Sequence, residues 1–256
     1  MVRGLDIFKT YFKDFSASYV IIGGTACDQQ FAERGLVFRA TKDIDLVLVI
    51  EALDTAFVKQ FWKFIKAGNY DQKQVEKKER KYYRFANPAD ENFPVLIELF
   101  SKRPEMIREI EGMHLTPIPV EEDLSSLSAI LLDEDYYQFT IANIQQMDKL
   151  PVASAEALIA LKASAFLNML QRKEAGEKID SRNIKKHKND ILKLAITLTA
   201  DSKVKCPDKI KSDISNYIKK MKEEKPDVKN MFKEMGIEAL EPDDLLDQLQ
   251  STFLND

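Results

Sequence analysis

Apolar and polar positions change period several times along this chain, and each change marks an element. Leu5, Phe8, Tyr11, Phe12 and Phe15 recur at helical spacing and predict a helix over residues 5–15 with one buried side. Tyr19-Val-Ile-Ile22 is a short apolar run that predicts a strand. It leads into Gly23-Gly24-Thr25, after which Ala26, Phe31, Ala32 and Leu36 recur as in a helix. Residues 44–50 are apolar except for Asp45, as in a buried strand, and residues 52–67 predict a helix with an aromatic face of Phe57, Phe61, Trp62 and Phe64. Residues 81–86 and 94–100 read as two strands joined by a turn at Asn87-Pro-Ala-Asp90. Residues 115–149 predict further short strands, among them 139–144, and Pro151 opens a largely helical half. Strands mixed with helices first, then helices alone, predict an α/β (α+β) head with a mixed sheet over residues 1–150. A mainly helical C-terminal lobe then follows over residues 151–256.

Acidic residues interrupt two of these strands. Asp43 and Asp45 stand two positions apart, so both carboxylates project from one face of the strand. Adjacent anions repel and lose hydration, which a bound Mg²⁺ would offset, because hard oxygen ligands suit it. The alternative is a turn in which the two Asp residues cap a loop or face water. Upstream, the order strand, Gly23-Gly24-Thr25, helix suits an anion. Glycine lets backbone approach phosphate, and a helix N-terminus offers free N–H groups. A plain turn is the other reading. Glu98 lies at the centre of the apolar run Pro94-Val-Leu-Ile-Glu-Leu-Phe100. An acid buried inside a strand needs a partner. Beside the Asp43/Asp45 strand it would converge on the same cation; on an edge strand it would face water.

Gly23-Gly24-Thr25, Asp43-Ile44-Asp45 and Ile97-Glu98-Leu99, in that order, resemble the DNA polymerase β-type nucleotidyltransferase superfamily. Within it, Arg39-x-Thr41-x-Asp43-Ile44-Asp45 resembles the AbiEii/AbiGii toxin family. The resemblance extends to residues 158–165 around Lys162 and 186–194 around Asp190, and so spans residues 15–195. The chain departs from the pattern where Glu98 replaces the commoner Asp and Asn189 stands for an acid. Asn168 and Met169 follow the lysine helix where the family often carries an arginine, leaving Arg172 as its substitute.

The resemblance implies transfer of an NMP from an NTP to an acceptor hydroxyl, with pyrophosphate released. Asp43, Asp45 and Glu98 would be catalytic and hold two Mg²⁺ ions, with Mn²⁺ as a substitute. Gly23, Gly24 and Thr25 would carry the phosphates; Arg39, Lys42 and Lys162 would offset their charge, and Asp190 would stand at the rim. The implied role is the toxin of a toxin–antitoxin pair, acting on an RNA such as tRNA or on a protein and held by a cognate antitoxin. Two alternatives stay open: a small-molecule nucleotidyltransferase of the antibiotic-modifying kind, and a non-catalytic nucleotide-binding protein of the same fold.

Composition narrows the remaining classes. The 256 residues are 45% apolar and 31% charged, with a net charge of −4, which argues against wholesale coating of nucleic acid. Local basic patches are still available. Residues 73–84 hold six basic and two acidic residues beside Tyr82 and Tyr83; residues 172–193 hold eight and four. Such stretches track a phosphate backbone or form an ordinary solvated face. Residues 236–256 carry six acids and no base, as a final amphipathic helix or frayed end. Cys27 and Cys206 suggest no disulfide framework, and His114 and His187 are too few for zinc. No run approaches the length of a bilayer span, so a cytoplasmic protein without membrane contact is expected. Lys162 borders an apolar stripe of Leu158, Leu161, Ala165 and Met169, where a lysine usually snorkels. Ile184, His187, Ile191 and Leu194 mark a second seam, with Asp190 flanking it.

Overall fold

The computed structural model describes residues 2–70, 82–100, 130–131, 133–233, 235, 237 and 241–255. Among the described residues a six-stranded mixed sheet is built from β1 (Tyr19–Ile22), β2 (Asp43–Leu48), β3 (Tyr82–Ala86), β4 (Leu96–Phe100), β5 (Ile144–Met147) and β6 (Leu150–Ala153), in the spatial order β3-β4-β2-β1-β6-β5. The central pairs β2–β4 and β1–β6 are parallel, β1 and β2 are antiparallel, and the outer strands β3 and β5 pair antiparallel with their neighbours.

Register decides what each face of the sheet carries. Tyr19 pairs with Leu48, and Ile44 pairs with Ile97, which pairs with Phe85. These side chains share one face, because directly paired residues point the same way. Helices α1 (Leu5–Phe12) and α3 (Thr55–Gly68) bring Phe8, Phe12, Phe57 and Phe61 to that face. Phe8 and Phe12 ring centroids lie 5.5 and 6.0 Å from Tyr19, and Phe61 lies 5.3 Å from Phe85. The helix α3 starts where the Asp54 carboxylate accepts the Phe57 N–H at 2.7 Å, and it ends at Asn69 in the left-handed region. Residues one position away, including Asp43, Asp45, Glu98 and Arg84, occupy the opposite face.

The remaining helices among the described residues are α2 (Gly23–Ala32), α4 (Glu134–Ala142), α5 (Ala155–Glu174), α6 (Ser181–Ala195), α7 (Asp208–Glu224), α8 (Val228–Lys233) and α9 (Pro242–Phe253). Ser154 caps α5 by accepting the Ala157 N–H, and Asp180 caps α6 through the Arg182 N–H. The chain divides into two compact units. The first comprises Met1–Gln29, Phe38–Val120 and Ile144–Ala153, and holds the sheet. The second comprises Gln30–Val37, Glu121–Asn143 and Ser154–Asp256, and is helical. An α/β head with a mixed sheet and a helical lobe is thus the architecture. Among the described residues, no helix is long and apolar enough to cross a membrane.

Two local expectations are corrected. Residues 139–142 belong to α4, and the strand starts only at Ile144. The Asp133 side chain accepts the Asp135 N–H and caps this helix, while Tyr136, Tyr137, Phe139 and Thr140 are buried along it. Packing of that face overrides the strand preference of its aromatic and β-branched residues. Further upstream, Gly23 and Gly24 do not form a turn ahead of a helix; they are its first turn. Of the strands expected over 115–149, residues 115–129 lie outside the described residues, as does His114.

Candidate active site

The site grows from the end of β1. Ile22 pairs with Asp45, Asp45 pairs with Glu98, and Glu98 pairs with Arg84, so one row crosses four strands. Gly23 follows Ile22 with φ +68°, a conformation side chains rarely adopt. A Cβ on Gly23 would lie 1.7 Å from Asp45 Oδ2. The Asp45 carboxylate therefore rests directly on the backbone of the helix start. At Gly24 a Cβ would come within 2.6 Å of Thr41 Oγ1 and 3.7 Å of an Arg39 guanidinium nitrogen. The two glycines are where backbone, Asp45, Thr41 and Arg39 converge. Lys42, next to Thr41 in sequence, is exposed.

Thr25 takes a different part from the one its hydroxyl suggests. It is fully buried, and its Oγ1 donates to the Asp43 carbonyl oxygen at 2.5 Å. The hydroxyl is thereby committed to tying α2 to the first residue of β2, which sets the height of Asp43 against the glycine pair.

Glu98 is the most perturbed group here. It lies on an interior strand and is 4% exposed, which removes the edge-strand reading. Burial, then the charge and hydrogen bond of Asp45, raise its carboxyl to about 10, with Asp43 adding in the same direction. Arg84 opposes that shift, its Nε lying 3.4 Å from Glu98 Oε1. Burial and Asp45 thus favour the protonated form of Glu98, and Asp43 and Asp45 are half-buried on the same face.

This donor set suits a divalent cation chemically. Three carboxylates are hard oxygen ligands, and two of them cannot stay close and charged without a cation or a proton. Among the described residues, no three carboxylate, imidazole or thiol groups are gathered so that they could hold an ion as they stand. Glu98 is turned instead toward Arg84 and Asp45.

In the second unit, Lys162 of α5 and Asp190 of α6 pair with each other, Nζ to Oδ2, at 2.9 Å. Neither is marginal to its seam. Lys162 is 5% exposed and Asp190 1%, whereas His187 is only half-buried. The snorkelling lysine and flanking aspartate expected from the sequence are thus a buried ion pair, because the packing of α5 on α6 closes over both. Arg172 holds Glu177 at 2.7 Å. Two other bases of the 172–193 stretch are likewise committed, Arg182 to Asp180 and Lys188 to Glu224. Of the 73–84 stretch, residues 73–81 lie outside the described residues.

Arg84 is the participant that sequence reasoning missed. It stood only as one charge in a basic stretch: nine residues, 87–95, connect the paired strands, so the turn at 87–90 did not give the register that sets Arg84 opposite Glu98. Thr41 was seen within a motif but not as the neighbour of Gly24.

No protein-family model matches the sequence, and comparison with curated proteins yields no match. Three chains among solved structures match. One is the crystal structure of an antigenic nucleotidyltransferase-like protein from Paracoccidioides brasiliensis, 15% identical, covering 98% of this chain and 95% of that one with a TM-score of 0.46.

Proposed function

We propose that this chain is a divalent-metal-dependent nucleotidyltransferase that transfers an NMP from an NTP to an acceptor hydroxyl and releases pyrophosphate. The observation that carries this reading is the Asp45 carboxylate. It lies against the Gly23 backbone on one side and is hydrogen-bonded to buried Glu98 on the other. A phosphate cradle and an acid cluster thereby meet at a single side chain.

In this reading Gly23 and Gly24 bring backbone N–H groups to the triphosphate at the start of α2, where the helix dipole favours an anion. Arg39, beside Gly24, and exposed Lys42 offset phosphate charge. Thr25 positions Asp43 through its carbonyl. Asp43, Asp45 and Glu98 would hold Mg²⁺, or Mn²⁺ in its place. Ions held there would supply charge neutralisation of the triphosphate and activation of the acceptor hydroxyl for in-line displacement. The acceptor oxygen bonds to the α-phosphorus, the bond from that phosphorus to the bridging oxygen breaks, and the hydroxyl proton leaves with solvent. Lys162 and Asp190 are assigned to the same reaction by motif resemblance alone. That resemblance also supports the finer reading of a cytoplasmic toxin, paired with an antitoxin and modifying RNA such as tRNA, or a protein.

The test incubates purified protein with each α-labelled NTP, total cellular RNA and cell protein. Label is expected in a macromolecule, and expression is expected to arrest growth, with both effects lost in Asp45→Asn. Label retained by Asp45→Asn contradicts the assignment. Label found only in small molecules favours the antibiotic-modifying class instead.

A further inference from the structure

Glu98 is a buried acid, and Arg84 is its basic neighbour in the sheet, one strand over and at the paired position. The contact is 3.4 Å from Nε to Oε1, longer than an ideal charge-assisted hydrogen bond. Arg84 is itself partly exposed, with about a fifth of its side chain accessible. Its long side chain can therefore leave Glu98 without burying an uncompensated charge. Two other acids of this face, Asp43 and Asp45, bear on Glu98 against this one base.

From this geometry we infer that Arg84 is the resident counter-ion of the carboxylate cluster. It holds Glu98 while no divalent ion is bound, gives that carboxylate up when one binds, and so sets the metal affinity of the site. This rests on the nucleotidyltransferase reading and deepens it. Arg84 is a positioning residue: it acts on the ion through Glu98. The exchange has a clear sign. A guanidinium beside the cluster repels a cation and competes with it for Glu98. Removing one positive charge favours a divalent ion twice as strongly as it favours a competing proton, so metal affinity rises on balance.

Two variants, Arg84→Gln and Arg84→Lys, test this by Mn²⁺ titration calorimetry and by melting in chelator and in saturating Mn²⁺. Arg84→Gln is expected to bind Mn²⁺ on the order of tenfold more tightly than the native chain. It should melt lower in chelator, and Mn²⁺ should raise its midpoint by more than it raises the native one. Arg84→Lys, which keeps the charge, should restore native affinity. Mn²⁺ affinity in Arg84→Gln equal to or weaker than native, or a loss of midpoint that is the same with and without Mn²⁺, overturns the inference and leaves the proposed function standing. A native protein that binds no Mn²⁺, or an Asp45→Asn variant that binds it as tightly as native, overturns both.

Discussion

Replacing Glu98 by glutamine removes the charge of the most perturbed acid while keeping its shape. Burial and the Asp45 carboxylate raise the Glu98 carboxyl to about 10 in the folded protein, against an ordinary value of 4.5 when unfolded. Between those values the folded state binds one proton more than the unfolded state, so stability falls as pH rises. The penalty is absent below the unfolded value and grows until pH passes the folded one. Its slope is at most about 1.4 kcal/mol per pH unit. From pH 6 to pH 8 this amounts to about 3 kcal/mol, or a midpoint lower by about 5–10 °C for a chain of this size. An amide side chain at this position cannot ionise, so the Glu98→Gln variant should lose that part of the pH dependence and melt above the native protein at pH 8 in chelator. Thermal melts of both proteins in chelator at pH 6, 7 and 8 supply the comparison. Parallel profiles for the two proteins would refute the reasoning, because Glu98 would then be ionised in the fold.

Two further predictions test the supports of the site. Gly23→Ala should lower the melting midpoint and abolish transfer, since its Cβ would lie 1.7 Å from Asp45 Oδ2. Gly35→Ala is the control: Gly35 has the same φ of +68° but nothing within 4 Å, so it should cost only about 1 kcal/mol of backbone strain. Equal losses in these two variants would remove the Asp45 contact from the account. In the helical unit, Asp190→Asn leaves Lys162 buried without its charge partner and should destabilise by about 3–5 kcal/mol in denaturant melts. The double variant Lys162→Met/Asp190→Leu should recover much of that; a double variant no better than the single would show the pair is not what holds the seam.

The parts of this site that could be read in the sequence were those set by local geometry. A two-residue spacing on a strand puts Asp43 and Asp45 on one face, and five apolar residues around Glu98 mark an interior strand. The sheet confirms both. What escaped depends on register or on packing between elements. Arg84 meets Glu98 only because β3 pairs with β4 in one register out of several. Thr25 looked like a phosphate donor until the fold placed the Asp43 carbonyl over it. By spacing alone Lys162 and Asp190 fall at the edge of a helical stripe, and only the packing of the neighbouring helix shows that both are buried. Residues 139–142 carry strand-forming side chains, yet a capped helix buries them better.

The central claim is that Asp45, between the glycine pair and Glu98, serves metal-dependent nucleotidyl transfer. Its most direct measurement follows one NTP labelled at the α-phosphate and the same NTP labelled at the γ-phosphate, in native protein and Asp45→Asn, with Mg²⁺ and with chelator. The account predicts that α-label enters an acceptor while γ-label leaves as pyrophosphate, and that both events cease in Asp45→Asn or in chelator. Transfer that persists in either condition, or γ-label entering the acceptor, contradicts it.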